Sequence, residues 1–140
     1  MPTAHHPRPP RTLNSASLPA PGGHYSHVCI AAGLAYISGQ LPVLPDGSPM
    51  NGRPFDDQAA QILRNLDACL QGIGLGPADL VHVRIYLTDM GNWPRFNEHY
   101  ARWLQDHRPA RIVVGAASLH FGVDIEVEAV ALAGAAAGRG

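Results

Sequence analysis

Residues 79–89, DLVHVRIYLTD, alternate apolar and polar side chains, while the stretches before and after repeat every three to four residues. Successive side chains of a strand point to opposite faces. Val81, Val83, Ile85 and Leu87 therefore share one face, and His82, Arg84, Tyr86 and Thr88 the other. On the N-terminal side, DDQAAQILRNLDACLQGIG reads as a helix with Ala59, Ile62, Leu63, Leu66, Leu70 and Ile73 in one stripe. Asp56 or Asp57 can cap its start, and Gly72 or Gly74 can end it. On the C-terminal side, NWPRFNEHYARWLQDH reads as a second helix opened by Asn92, with Trp93, Phe96, Tyr100, Trp103 and Leu104 on its apolar face. A half-buried strand between two one-faced helices restricts the chain to a sheet that carries its helices on one side.

The flanking segments extend that sheet. HVCIAA (27–32) and LAYISG (34–39) are β-type runs separated by Gly33, a hairpin signal. PVLPDGSPMNGRP (42–54) is rich in turn dipeptides and reads as a loop. ARIVVG (110–115) and VDIEVEAVAL (123–132) supply two closing strands. The expected order is β-β-α-β-α-β-β, an α+β fold with two helices on one face of a mixed sheet. The other face, carrying His82, Tyr86 and part of the last strand, has no cover within the chain, which predicts burial against another copy.

Residues 1–17 are rich in proline and polar types without periodicity and are expected to be a disordered arm. Residues 18–132 are expected to form a single domain and 133–140 a flexible tail. The formal net charge is −1, from 10 basic and 11 acidic residues scattered along the chain, so no field points to nucleic acid or an anionic membrane. No apolar run reaches the ~18–20 residues of a membrane span. The N-terminus lacks the apolar segment of a secretory signal. Cys29 and Cys69, both within apolar patterns, fit a reducing compartment. A cytoplasmic protein is the expectation.

Several chemistries are disfavoured. There is no GxGxxG or Walker loop for a nucleotide cofactor. Ser38 lies outside any GxSxG context. The eight histidines include His24 and His27 at HxxH spacing, but in an extended segment these point apart, so no metal site is expected. Two features remain. Asp124, Glu126 and Glu128 alternate along the last strand, with neighbouring carboxylates about 6–7 Å apart from the strand rise. Arg111 stands at the head of the apolar run 112–114, either as an ion-pair partner of one of those glutamates or as a bidentate anchor for a ligand carboxylate.

The motifs G-x-Y-S at 23–26, YISGQLP at 36–42, VRIYLTDM at 83–90, FNEHY at 96–100, PAR at 109–111 and IEVEAVA at 125–131 together resemble the RidA/YjgF family, from about Gly22 to Leu132. Members of that family are also labelled endoribonuclease L-PSP or imine/enamine deaminases. The resemblance implies a chorismate-mutase-like fold assembled as a homotrimer, with helices outside, the sheets forming an inner barrel and ligand clefts between subunits. It implies cofactor-independent hydrolysis of 2-imino or 2-enamino acids to 2-oxo acids and ammonia. The alternative on the same fold is a non-catalytic carboxylate-binding or chaperone-like protein. In that framework Arg111 holds the substrate carboxylate and Glu126 orients or activates water. Tyr25 lines or closes the pocket, Gly39 lets backbone approach the ligand, and Asn97 lies at the cleft mouth. The chain departs from the family pattern at His24 and His27, where proline and glutamine are frequent, and at Ile112 and Val113, where Ser-Cys is frequent. A bulkier, drier wall beside Arg111 is expected. Cleavage of RNA would need a basic track that this charge distribution lacks.

Overall fold

The computed structural model describes residues 8–134 and contains one six-stranded sheet with two helices. In chain order the elements are β1 (Arg11–Leu13), β2 (Val28–Ala31), β3 (Leu34–Gln40), α1 (Phe55–Gln71), β4 (Leu80–Leu87), α2 (Trp93–Leu104), β5 (Ala110–Gly115) and β6 (Ile125–Leu132). The strands lie in the order β1-β2-β3-β6-β4-β5, antiparallel except for the parallel pair β4–β5. The α2 crossover requires that parallel pairing, because a helix returns the chain to the end of the sheet from which β4 started.

The β2–β3 hairpin turns on Ala32 and Gly33, with φ of 52° and 78°. Two consecutive left-handed residues make the turn whose twist matches paired strands, and Gly33 adopts it without steric cost. Helix α1 starts after Pro54 rather than at an aspartate cap; Asp56 and Asp57 instead occupy its first turn, where negative charge suits the helix dipole. Gly74, at φ 75°, reverses the chain beyond its end. Both helices lie on one face of the sheet. Ile62, Leu66 and Leu70 of α1 and Phe96 of α2 pack with Ile37, Val83, Ile85, Ile125 and Val127, all nearly inaccessible. Trp103 Nε1 donates to both Asp67 carboxylate oxygens at 3.1 and 3.0 Å, tying α2 to α1.

Buried amides secure the long loop before α1. Gln58 donates to Arg53 O at 3.0 Å and to Asp124 Oδ2 at 2.9 Å, while its own oxygen accepts from the Asp124 N–H at 2.9 Å. Asn65 donates to Leu41 O and Val43 O at 2.9 and 3.0 Å. These bonds hold the loop's polar backbone against the helix, where water cannot satisfy it.

Three expectations need correction. The N-terminal arm is partly structured: Arg11–Leu13 pairs antiparallel with β2, Asn14 Oδ1 accepts the His27 N–H, and the Ser15 N–H donates to His27 Nδ1, both at 3.0 Å. Three residues are too few to reveal a strand period, and their partner lies well downstream. Similarly, the expected tail starts pinned, with Ala133 buried and its N–H donating to Gly33 O at 2.9 Å. Residues 1–7 and 135–140 of the expected arm and tail lie outside the described residues. Finally, Val81 is exposed and Leu80 buried, because the β4–β6 register shifts between Leu80 and His82 and flips the first residues of the alternation.

Candidate active site

The predicted site residues fall into two groups. The first is built around Gly39 and Glu126. β3 and β6 run side by side, with an irregularity between Ile37 and Gln40, and there the Glu126 carboxylate lies against Gly39 where a side chain would stand. Only a glycine leaves that space. Gly39, Tyr25, His27, His120 and Phe121 line a cleft of about 460 Å³ between the hairpin, the segment before β2 and the turn before β6. The Tyr25 ring is half exposed. His27 is buried, its Nδ1 taken by the Ser15 amide, and desolvation lowers its pKa against a smaller opposing effect of the Pro19 carbonyl.

Burial raises the Glu126 pKa, neighbouring Glu128 raises it further and His120 works in the other direction. Its neighbour on the same face is already engaged. Glu128 Oε1 accepts the Tyr86 hydroxyl at 2.7 Å and lies 3.5 Å from Arg84 Nη1. The arginine that pairs with the last strand's carboxylates is therefore Arg84. Asp124, expected on that face too, precedes β6 and joins Gln58 instead.

The second group surrounds Arg111, at the start of edge strand β5. Its guanidinium lies 4.4 Å from the centroid of Trp93 and 5.4 Å from that of Tyr100, and Nη1 donates to Asn97 Oδ1 at 3.0 Å. Cation–π attraction from two rings and one hydrogen bond fix the planar fork. Arg111 makes no ion pair among the described residues. Asn97, Tyr100, His107, Arg108 and Arg111 line a second cleft of about 520 Å³. Burial pushes the Tyr100 phenol up to about 12, and its hydroxyl has no hydrogen-bond partner among the described residues.

Within one chain the groups do not meet. Arg111 is in register with Val83, a core residue on the helix-covered face, whereas Glu126 is in register with Tyr86 on the open face. β4 separates their strands, and the ion pair between Arg111 and a last-strand glutamate that the sequence left open is not formed among the described residues. Ile112 and Val113 likewise do not form one wall. Ile112, opposite Arg84, is exposed on the open face; Val113, opposite Ile85, packs on the core from the helix side with Arg111.

Sequence reasoning missed Trp93 and Tyr100 as a platform for Arg111, reading them only as core, and missed Phe121 as a cleft residue. The platform could have been suspected from four aromatic rings at helical spacing before an arginine-headed strand. The place of Phe121 depends on a backbone angle no residue pattern announces. His24 is exposed while His27 is buried, and no group of three or more His, Cys, Asp or Glu residues suited to a metal occurs among the described residues. Burial raises the Cys69 thiol to about 12, which leaves it inert. No described helix is long and apolar enough to cross a membrane.

The sequence profile of the endoribonuclease L-PSP family matches residues 15–133. The chain belongs to that family, also called RidA/YjgF. Among its relatives, protein HMF1 of Saccharomyces cerevisiae is 37% identical over 115 residues, covering 82% of this chain and 88% of that protein. A protein of Dermatophagoides farinae named 2-iminobutanoate/2-iminopropanoate deaminase is 29% identical over 122 residues, covering 87% and 95%. The crystal structure of Escherichia coli TdcF with bound serine superposes with a TM-score of 0.80 at 28% identity, covering 87% of this chain and 98% of that one. The fold is thus the RidA-type α+β fold expected from the motifs.

Proposed function

We propose that this RidA-family protein hydrolyses 2-imino acids, and their 2-enamino tautomers, to 2-oxo acids and ammonia, in a homotrimer whose sites are each completed by two chains. The observation that carries this reading is Arg111, a guanidinium oriented by Trp93, Tyr100 and Asn97 yet without a carboxylate partner among the described residues. Its remaining donors suit bidentate capture of a carboxylate. Because Arg111 and Glu126 occupy opposite faces of one sheet, a substrate bridging them must draw on two chains. Arg111 sits on an edge strand, where a neighbour can bring its own Gly39–Glu126 cleft. The open face, with Tyr36, Ile112 and Val114 exposed, supports burial between copies. The relatives named for imino-acid deamination and crystallised with serine support a small carboxylate-bearing ligand.

The chemistry asks little of the protein. Arg111 fixes the substrate carboxylate and so orients the C=N bond. Water adds to the imine carbon, giving one proton to Glu126, and that proton passes to nitrogen. The hydroxyl proton of the resulting carbinolamine then passes to nitrogen, the C–N bond breaks, and ammonia leaves as the 2-oxo acid forms. A carboxyl whose pKa is raised by burial accepts a proton more readily than a free carboxylate and can return it. The test generates imines with an amino-acid oxidase and traps the remainder with semicarbazide. Wild-type protein should speed imine loss and Arg111→Ala should not; equal rates would remove Arg111 from the mechanism. Carboxylates that raise thermal stability without turnover would point to a binding protein instead. A single monomeric species in sedimentation at micromolar concentration would refute the shared site.

A further inference from the structure

Phe121 has an unusual placement. Its backbone is left-handed, at φ 61° and ψ 9°, inside the short turn His120–Gly122 that leads into β6. For a bulky side chain that conformation is an outlier, and glycine, present next door at Gly122 with φ 70°, would adopt it freely. Core packing does not explain it, since the Phe121 ring is half exposed and outside the buried cluster. The ring instead stands 3.9 Å, centroid to centroid, from the His120 imidazole, and both line the cleft that Tyr25 and Gly39 also line. Tyr25 is similarly half exposed. Two solvent-facing rings and an imidazole therefore border one concavity, and its Gly39 margin abuts the Glu126 carboxylate.

We infer that Phe121, with Tyr25 and His120, forms an aromatic subsite that selects 2-imino acids bearing an aromatic or large apolar side chain. The inference rests on the deaminase reading and names the substrate class of that same site. With the carboxylate on one chain's Arg111 and the imine carbon at the other chain's Glu126, the substrate side chain has the cleft beside Glu126 to enter. Ring-on-ring contact there favours aromatic groups beyond what area alone provides. A small side chain leaves both rings wet.

The test compares imines generated from phenylalanine and alanine, using wild type, Phe121→Gly and Phe121→Tyr. Glycine removes the ring and accepts the left-handed backbone, so the turn keeps its shape. The wild type should favour the phenylalanine-derived imine. Phe121→Gly should lower the ratio of kcat/KM for the two imines about tenfold, mainly through KM, and Phe121→Tyr should keep it. An unchanged ratio, an equal fall for both imines, or an altered assembly mass in Phe121→Gly would overturn the inference and assign Phe121 to structure. Calorimetry with phenylpyruvate and pyruvate separates the two layers. If the wild type turns over neither imine, the deaminase reading fails. The subsite then stands if phenylpyruvate binds more tightly in a Phe121-dependent way, and falls if it does not.

Discussion

Replacing Gly39 by alanine should uncouple the placement of Glu126 from the stability of the fold. Gly39 does not adopt a left-handed backbone, so alanine is tolerated there in principle. The three nearest atoms to an added Cβ all belong to Glu126: it would overlap Oε1 and stand 3.3 Å from Cδ and 3.6 Å from Cγ. The obstruction is the far end of a flexible side chain, which can swing away. Relief requires the carboxylate to move by about 1 Å, and a misplacement of that size costs about 10²-fold in rate. That corresponds to about 2.7 kcal/mol of barrier. Stability should move the other way, because alanine at a compatible backbone position restricts the unfolded chain and stabilises by about 0.4–1 kcal/mol. Gly39→Ala is therefore expected to melt at or slightly above the wild-type temperature while losing most imine turnover. The trapped-imine assay and a circular-dichroism melt measure the two quantities on one preparation. A double-mutant cycle with Glu126→Gln isolates the cause: once the carboxylate is gone, Gly39→Ala should cost little more. Full activity in Gly39→Ala, or an equally large loss from it in the Glu126→Gln background, would refute the reasoning.

Three further outcomes follow from the same geometry. The Glu126 pKa is raised in the folded state, so its stabilising contribution is complete below the ordinary value of 4.5 and is lost as pH rises through the folded value. Glu126→Gln should accordingly raise the melting temperature more at pH 7 than at pH 4; equal gains would show that burial of the charge costs nothing. His27 is the reverse case, with its pKa below the ordinary 6.5, so stability present above that value is lost as pH falls through the folded value. Protonation at Nδ1 would also break the bond from Ser15, so amides of Arg11–Leu13 should lose hydrogen-exchange protection on acidification below 6.5 before β4 and β6 do. Gln58→Leu would strip three hydrogen bonds from Arg53 O, the Asp124 carboxylate and the Asp124 N–H. Urea unfolding should show a loss of about 2–4 kcal/mol; a loss under 1 kcal/mol would mean that water replaces the amide.

The local elements were legible because each carries its own period. Helix spacing from Ala59 to Leu70 and from Phe96 to Leu104, and alternation from Val83 to Leu87, marked which side chains enter the core. The hairpin was legible from Gly33. Where the signal was short or nonlocal, reading failed. β1 has three residues and takes its strand character from pairing with β2. Val81 obeyed the alternation in sequence but not in space, because the bulge belongs to the pairing of two strands and not to either alone.

The site divides along the same line. The residue types alone determined that this chain carries an always-charged arginine at the head of an apolar strand, alternating carboxylates on its last strand, and a sheet with one uncovered face. These are properties of composition and period, set by charge and by the geometry of a single strand. Only the tertiary structure decided that Arg84 takes the Glu128 partnership, that Trp93, Tyr100 and Asn97 hold Arg111, and that Arg111 and Glu126 face opposite sides of the sheet. Strand order and register decide each of these. They arise from the balance of burial over the whole sheet, which no single segment encodes.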